Sequence, residues 1–596
     1  MLSEAKHPLP VPADSSSAAQ NDKEPVGRLA SPLPGVHIPT RVIFGLAIVA
    51  AVTIFTVLPA GFVFIGSFNT AGTGQAWSWG FGAWYQAFTT PRTLQSIGAS
   101  FLLALRAPIA VIIGFFISWL LVRVKIPGKS FIEFALWASF FLPGLPIAMG
   151  WILLLDPKFG LINEALKHLP FVHGPVFNIY SIAGILWVQL TLTTVPVMVI
   201  LLAPALRQLD SSFEQSARMC GAGHLQTLRR IVVPMLAPAL LTALVFGLIR
   251  GLETFEIEQL LGIPAGIYVY ATRIYDLMNV QPPQFPQAMA LSTFFLLVLF
   301  LLALVYQLYT EKRMYATITG RGVMFTATYS GRWRYLATAF CALYLCAGIV
   351  LPLSLLVLGS FMRLFGFFSV PNPYTTEQWA RVFRDPVFML ALRNSMFLGL
   401  SVALLGLLLY GLIAYVIVRS RLAGRRTLSL LVWLPWAVPG ILLGVALLWL
   451  MLTVPGLTLL YGTMGALVLA LLIQSMPFGV QLLRTALGQV STELEQAARA
   501  CGASWILTYR RVVLPLIAPM LISVAVLTFI GVLRDISTTV LLAGASTRPL
   551  ALLMLEFARG GNMEAASVVG LILSILAILV ALFARRLGLQ FRSEVA

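Results

Sequence analysis

The amino-acid sequence predicts an all-α membrane protein of twelve transmembrane helices arranged as two repeated six-helix units. Three observations predict it: a charge-poor apolar composition, twelve apolar stretches of spanning length, and a long internal repeat. Of 596 residues, 59% are hydrophobic and 10% charged, with mean hydropathy +0.90. Soluble domains run nearer about 45–50% apolar and roughly 25% charged. A water-soluble globule is excluded, and the unit of count becomes the span of ~20 apolar residues.

Residues 1–40 are rich in Pro, Ser and Ala, with no apolar run long enough for the core of a signal peptide. A disordered cytoplasmic tail is expected there. Spans follow near 42–66, 96–122, 131–155, 180–206, 232–252 and 286–310. A second set lies near 335–360, 394–418, 428–452, 462–486, 511–533 and 565–584. Several contain proline, among them Pro143, Pro146, Pro196, Pro439 and Pro477. Membrane helices tolerate it because neighbouring helices and side chains satisfy the freed backbone groups.

Forty Lys and Arg against 22 Asp and Glu give a net charge of +18. With an even number of spans both termini share a side, and loop charge chooses it. Placing the termini inside puts 27 of the forty basic residues in inner segments and 11 in outer ones, with Arg106 and Arg250 inside spans. Basic residues concentrate in cytoplasmic loops. The excess thus reads as an orientation signal for a multi-pass inner-membrane protein with both ends cytoplasmic, and no nucleic-acid partner is expected.

Glu214–Leu240 repeats as Glu495–Leu521, with 15 of 27 positions identical at a constant offset of 281. Pro143-Gly144 and Pro439-Gly440 match at an offset of 296, so the first half holds about fifteen extra residues, most simply in loop 156–179. The units are 41–310 and 335–596, joined by a basic cytoplasmic linker, 311–334, with the repeated polar loops at 207–231 and 487–512.

Each polar loop reads as helix. Ser211 with Glu214, and Thr492 with Glu495, have the spacing of a capping box. Gly221 and Gly502 interrupt those helices, since a residue without Cβ turns the chain at little steric cost. The chain resumes helically into Pro234 or Pro515. A short helix, a glycine turn and a second arm make one protruding knob per half.

This loop resembles the EAA motif of permease subunits in binding-protein-dependent ABC importers, with Gly221 to Pro234 and Gly502 to Pro515 matching its Gly-to-Pro distance of thirteen. The family's usual Glu is replaced by Gln215 and Gln496, although Glu214 and Glu495 stand beside them. The linker ITGRG followed by GRWRYL, and the stretches LETFEIEQLLGIPAGIYVYATRIYD and RDISTTVLLAGASTRPLALLMLEFA, look like the ferric-iron type of fused permease, a group with thiamine and phosphonate relatives. The resemblance implies a type I ABC importer transmembrane-domain fold, with coupling helices that dock on cytoplasmic ATPase subunits. It assigns ATPase coupling to Glu214, Gln215, Ala217, Gly221, Glu495, Gln496, Ala498 and Gly502. The implied partners are two ATPase subunits, an external substrate-binding protein and membrane lipid. The implied cargo is ferric iron, with thiamine, phosphonate or polyamine as alternatives.

The chain's nearest approach to a phosphate loop is Arg123–Ser130, RVKIPGKS, where the required first Gly is Arg123. No cofactor is therefore expected on this chain, no catalytic residue is assigned, and ATP is expected on partner subunits. Charges near spans usually face a cavity or the bundle interior. Arg250, Glu253 and Glu256 follow the fifth span and Arg534 and Asp535 the eleventh, so a substrate pathway or fixed ion pairs at helix ends are both open. Tyr268, Tyr270, Arg273, Tyr275 and Asp276 suggest metal ligands, but interfacial aromatics are ordinarily belt anchors. His168 and His173 form no metal-ligand pattern. Cys220 and Cys501, equivalent in the repeat, and Cys341 and Cys346 are expected to pack as small hydrophobes. A secondary transporter is the rival class; it requires carboxylates within the spans, which carry few.

Overall fold

The computed structural model describes residues 40–71, 77–311, 331–420 and 424–586. The expected tail and most of the linker 311–334 lie outside the described residues. The chain divides into Met1–Phe44, of which only Thr40–Phe44 is described, as helix, and Gly45–Ala596. Among the described residues of the second unit everything regular is helical, apart from two isolated β-bridges at Asn69–Trp79 and Met362–Tyr374.

Among the described residues nine helices are long and apolar enough to cross a membrane, and three bent helix pairs bring the number to twelve if each pair is counted as one span. In the first half these are Gly45–Gly66, Pro91–Arg123, the pair Lys129–Ser139 and Gly144–Leu155, Ile182–Gln208, the pair His224–Met235 and Ala237–Leu252, and Phe285–Leu302. In the second they are Trp333–Ser360, Pro386–Arg419, the pair Arg425–Trp436 and Gly440–Thr453, Met464–Gln489, Ile506–Arg534 and Met563–Phe583.

The third and ninth spans, expected as single helices, fold back by 102° and 105° at equivalent places. The cause is local. Pro143 and Pro439 stand at the bends in extended conformation, with ψ of 145° and 148°. The residue before a proline is pushed out of the helical region, as Val438 shows at ψ 105°. The twelve residues of Gly144–Leu155 reach only ~18 Å as helix, short of a ~30 Å hydrocarbon core. The fifth span also bends, by 72°, at Leu236, whereas its counterpart Ile506–Arg534 does not. The extra residues of the first half lie where the repeat places them: a short helix, Leu161–Lys167, precedes the fourth span, against only a turn, Leu457–Leu460, before the tenth.

Gly144–Leu155 and Gly440–Thr453 are buried along nearly their whole length and form the centre of the largest apolar core. Around them the halves interlock. The first span contributes Val52 to a core otherwise built from the second half, beside Tyr410 and Ile413. The seventh contributes Ala337, Cys341 and Leu345 to a core of the first half, beside Ala110 and Ile117. The close approach needs small residues, as membrane helix packing generally does. A Cβ on Gly150 would stand 2.0 Å from the Pro352 carbonyl oxygen of the seventh span.

Candidate functional site: two knobs and a polar seam between the halves

Each knob starts as an eight- or nine-residue helix, Ser212–Met219 or Thr492–Ala500. Both end on a glycine in the left-handed region, Gly221 at φ +83° and Gly502 at +81°. The termination is the same double hydrogen bond in both copies. Gly221 N donates to Arg218 O at 2.8 Å and Ala222 N to Ala217 O at 3.0 Å. Gly502 N donates to Arg499 O at 2.9 Å and Ala503 N to Ala498 O at 3.1 Å. This is the glycine-dependent Schellman cap, and it turns the chain into the second arm, His224–Thr227 or Trp505–Thr508.

The capping boxes do not form. Both helices are capped one residue earlier than expected, with Asp210 accepting from the Ser212 backbone at 2.9 Å and its repeat equivalent Ser491 from the Glu493 backbone at 3.1 Å. The two carboxylates have stronger partners. Glu214 accepts from Arg123 Nε at 2.8 Å, with the two side chains 1% and 2% exposed. Arg123 also donates to the Leu209 carbonyl at 2.9 Å. In the second half Arg419 Nε lies 2.8 Å from Glu495 Oε1, while Glu495 Oε2 accepts from Tyr415 at 3.1 Å and Arg499 at 3.3 Å. Arg419 donates to the Leu487 and Val490 carbonyls at 3.0 and 2.5 Å. Arg123 and Arg419 each close the second helix of their half. Their separation of 296 is the offset of the Pro-Gly pair, so this latch was readable in the repeat had that offset been carried back to Arg123.

The outer face of each knob is apolar and matched. Leu225 is 77% exposed and its repeat partner Ile506 69%; Phe213 and Leu494 are equivalent and also exposed. Cys220 and Cys501 stand exposed at the turns, against the expectation that they pack, because the turn lifts them clear of the bundle. Cys341 is buried as expected, while Cys346 points outward.

The second group of predicted residues forms a seam between the halves. Arg250 and Glu253 pair with each other at 2.5 Å, the fixed helix-end ion pair. Glu256 packs in its own half, with Oε2 3.5 Å from the position of a Cβ on Gly144, and faces the charges of Asp535 and Arg534 from the other half. Arg534 donates to the Phe140 carbonyl at the bend of the third span and lies 5.0 Å over the Phe140 ring. Asp535 accepts from the Thr538 backbone and hydroxyl at 3.0 and 3.1 Å. Burial pushes both Glu256 and Asp535 above the ordinary carboxylate range, with Asp535 adding to the effect at Glu256. The repeat holds here as well, since Gly440 abuts Ser537 and Thr538, the counterparts of Glu256 and Ile257. A deeper network in the first half was not anticipated. Buried Arg106 donates to Thr254 at 3.5 Å, and Glu258 accepts from Thr254 at 2.7 Å and from Gln189 at 3.0 Å.

The five residues around Tyr270 are not gathered into a site. Tyr270 is fully buried with its ring stacked on Phe295, so it is a core residue and not a belt anchor. Arg273 pairs with Asp276 at 2.6 Å, and Tyr275 accepts from Arg559 at 2.8 Å.

A helical membrane protein made of two copies of one unit, each carrying a matched knob and meeting at a polar seam, is a fused permease. Residues 107–316 and 387–592 each match the family described as binding-protein-dependent transport system inner membrane component, and the chain belongs to it. It is a permease subunit of an ABC importer, a multi-pass inner-membrane protein of a transport family and not an ATPase. It is 30% identical to the probable ABC transporter permease protein y4fN of Sinorhizobium fredii, over 77% of this chain and 80% of that one. It is 26% identical to the ferric transport system permease protein FbpB of Actinobacillus pleuropneumoniae, over 74% of this chain and 63% of that one. Among solved structures, a crystal structure of a bacterial ABC transporter involved in import of the acidic polysaccharide alginate overlaps 46% of this chain and 96% of its own, at 18% identity and TM-score 0.39.

Proposed function

We propose that the chain moves ferric iron from an external binding protein into the cytoplasm, driven by two separate ATPase subunits that bind the ATP and dock on the two knobs. The observation that carries the docking is the matched apolar pair Leu225 and Ile506 on the second arms, with Phe213 and Leu494 on the helices that the buried Arg–Glu latches fix to the second helix of each half. An exposed apolar patch on a polar loop is the mark of a partner surface. Glu214, Gln215, Ala217 and Gly221, and Glu495, Gln496, Ala498 and Gly502, form these coupling elements. Of them Glu214 and Glu495 are buried and act by positioning the knob.

In this reading both termini and both knobs are cytoplasmic, as the basic-residue asymmetry argues. Units 41–310 and 335–596 move as two bodies about the seam, and closure of the ATPases draws the knobs together. Docking shifts the balance only if the partner binds one arrangement of the halves better than the other. Arg250, Glu253, Glu256, Arg534 and Asp535 border the path, and the carboxylates suit a hard cation. The cargo assignment rests on the resemblance to ferric permeases, and the exposed docking faces support the machinery.

Two measurements test this. Co-purification with a Walker-type ATPase should be lost on Leu225→Asp with Ile506→Asp, and binding unchanged in that variant would refute the docking. The ligand carried by the cognate binding protein should be ferric iron; thiamine or a phosphonate there would overturn the cargo alone.

A further inference from the structure

On the side of the bundle that bears the second knob there is a cavity of about 460 Å³, lined among others by Arg425, Arg426, Ser429, Arg484 and Gly488. Arg484 donates to the Ser429 hydroxyl at 3.0 Å and Arg425 to the Ser420 carbonyl at 3.3 Å. Among the described residues none of the three arginines has a carboxylate within ion-pair distance.

The other half shows how the same place is filled when it is meant to be closed. At the repeat offsets, Ser429 corresponds to Glu133, Gly488 to Arg207 and Arg425 to Lys129. There Arg207 bonds Glu133 at 2.6 Å and Lys129 lies 3.9 Å from the same carboxylate, so the space is occupied and two cations share one countercharge. In the second half both members of that pair are gone. Gly488 leaves the room open, since a Cβ there would meet nothing within 4 Å. Ser429 leaves the charge uncompensated, and Arg426 and Arg484 replace Ser130 and Ala203, adding two more guanidinium groups.

We propose that this cavity is a binding site for a phosphate-bearing anion. Guanidinium groups match phosphate oxygens in paired hydrogen bonds, and a cavity of this size is within the ordinary range for a small ligand, about 300–1,000 Å³. The helix that carries Arg425 and Arg426 continues into exposed Leu430 and Trp433. Basic pockets beside apolar helix faces are where phospholipid headgroups are held, so a lipid phosphate and free phosphate are the two sources to separate.

The test uses the full-length chain, purified in neutral, phosphate-free detergent, and its Ser429→Glu/Gly488→Arg variant. That variant installs the acid–base pair with which the first half already folds. Retention of phosphatidylglycerol after exposure to phosphatidylcholine/phosphatidylglycerol vesicles is read by native mass spectrometry, and binding of inorganic phosphate by calorimetry. The native chain should bind at least roughly tenfold more tightly than the variant in one arm, with Arg484→Gln in between. A difference in the vesicle arm identifies a headgroup site, and a difference with inorganic phosphate alone identifies a free-anion site. Equal binding by both proteins in both arms overturns the proposal. So does binding in neither arm together with shielding of the three arginines only when an ATPase subunit is added, which would make the cavity a protein contact.

Discussion

Replacing Glu214 by Gln should loosen the first knob far more than any surface change on it. The two side chains of the Arg123–Glu214 latch are 2% and 1% exposed, so Gln removes the countercharge and leaves the Arg123 guanidinium buried with only neutral acceptors, the amide oxygen and the Leu209 carbonyl. Removing one partner of such a pair costs about 3–5 kcal/mol. At 1.4 kcal/mol per factor of ten, the opening equilibrium of the knob helix rises by a hundredfold or more, to within roughly a factor of ten. Hydrogen exchange of the Ser212–Met219 amides in the purified chain reads that opening directly. Arg419→Met should have a smaller effect on Thr492–Ala500, because Arg419 is 11% exposed and Glu495 keeps Tyr415 and Arg499. The double replacement Arg123→Met with Glu214→Met should restore slow exchange, since paired apolar groups carry no uncompensated charge. Exchange in Glu214→Gln within twofold of the native chain would refute the reasoning. So would a double variant as fast as the single ones.

Three further outcomes follow from the same geometry. Gly221→Ala and Gly502→Ala should each cost about 1–2 kcal/mol of knob stability from backbone strain alone, because a Cβ at either position meets nothing within 4 Å; proline there should abolish ATPase stimulation by cargo while membrane insertion, checked by fractionation, is retained. Glu256→Gln should reduce cargo uptake in reconstituted vesicles and leave ATPase co-purification unchanged, since Glu256 lies at the seam and not at a knob; equal uptake would remove it from the path. An impermeant thiol reagent should label exposed Cys220 and Cys501 in inside-out vesicles and spare them in right-side-out ones; the opposite pattern would reverse the orientation.

Much of the architecture was legible because its causes are local or repeated. The count of spans comes from stretches of apolar length, and the knob turns come from glycines at a fixed distance from prolines. The capping boxes fail to form for a physical reason. The spacing of Ser211 to Glu214 satisfies the local rule, but a buried arginine 91 residues away outcompetes a backbone N–H for the carboxylate. Tyr270 was misplaced for a similar reason, because its stacking on Phe295 depends on the approach of the sixth span. The bends of the third and ninth spans are half visible in the matched pairs Pro143-Gly144 and Pro439-Gly440, yet Pro196, just after a π-helical turn, and Pro477 sit in spans that do not break. What separates them is the segment after the fifth or eleventh span, which packs on Gly144 or Gly440.

By itself the sequence determined a membrane protein of two equivalent six-span units, the place of each knob and the family to which it belongs. These are properties of composition, periodicity and repetition, which act within a few turns of helix or between aligned copies. The tertiary structure alone decided which spans break, that the first and seventh spans lend residues to the opposite half, and that Arg123 and Arg419 find their carboxylates. It also decided that one half closes with an acid–base pair the space that the other leaves open and basic. The reason is physical: such pairings are chosen by which buried surfaces and charges come into contact, and related halves can diverge there at a handful of positions, as at the five that separate Lys129, Ser130, Glu133, Ala203 and Arg207 from Arg425, Arg426, Ser429, Arg484 and Gly488.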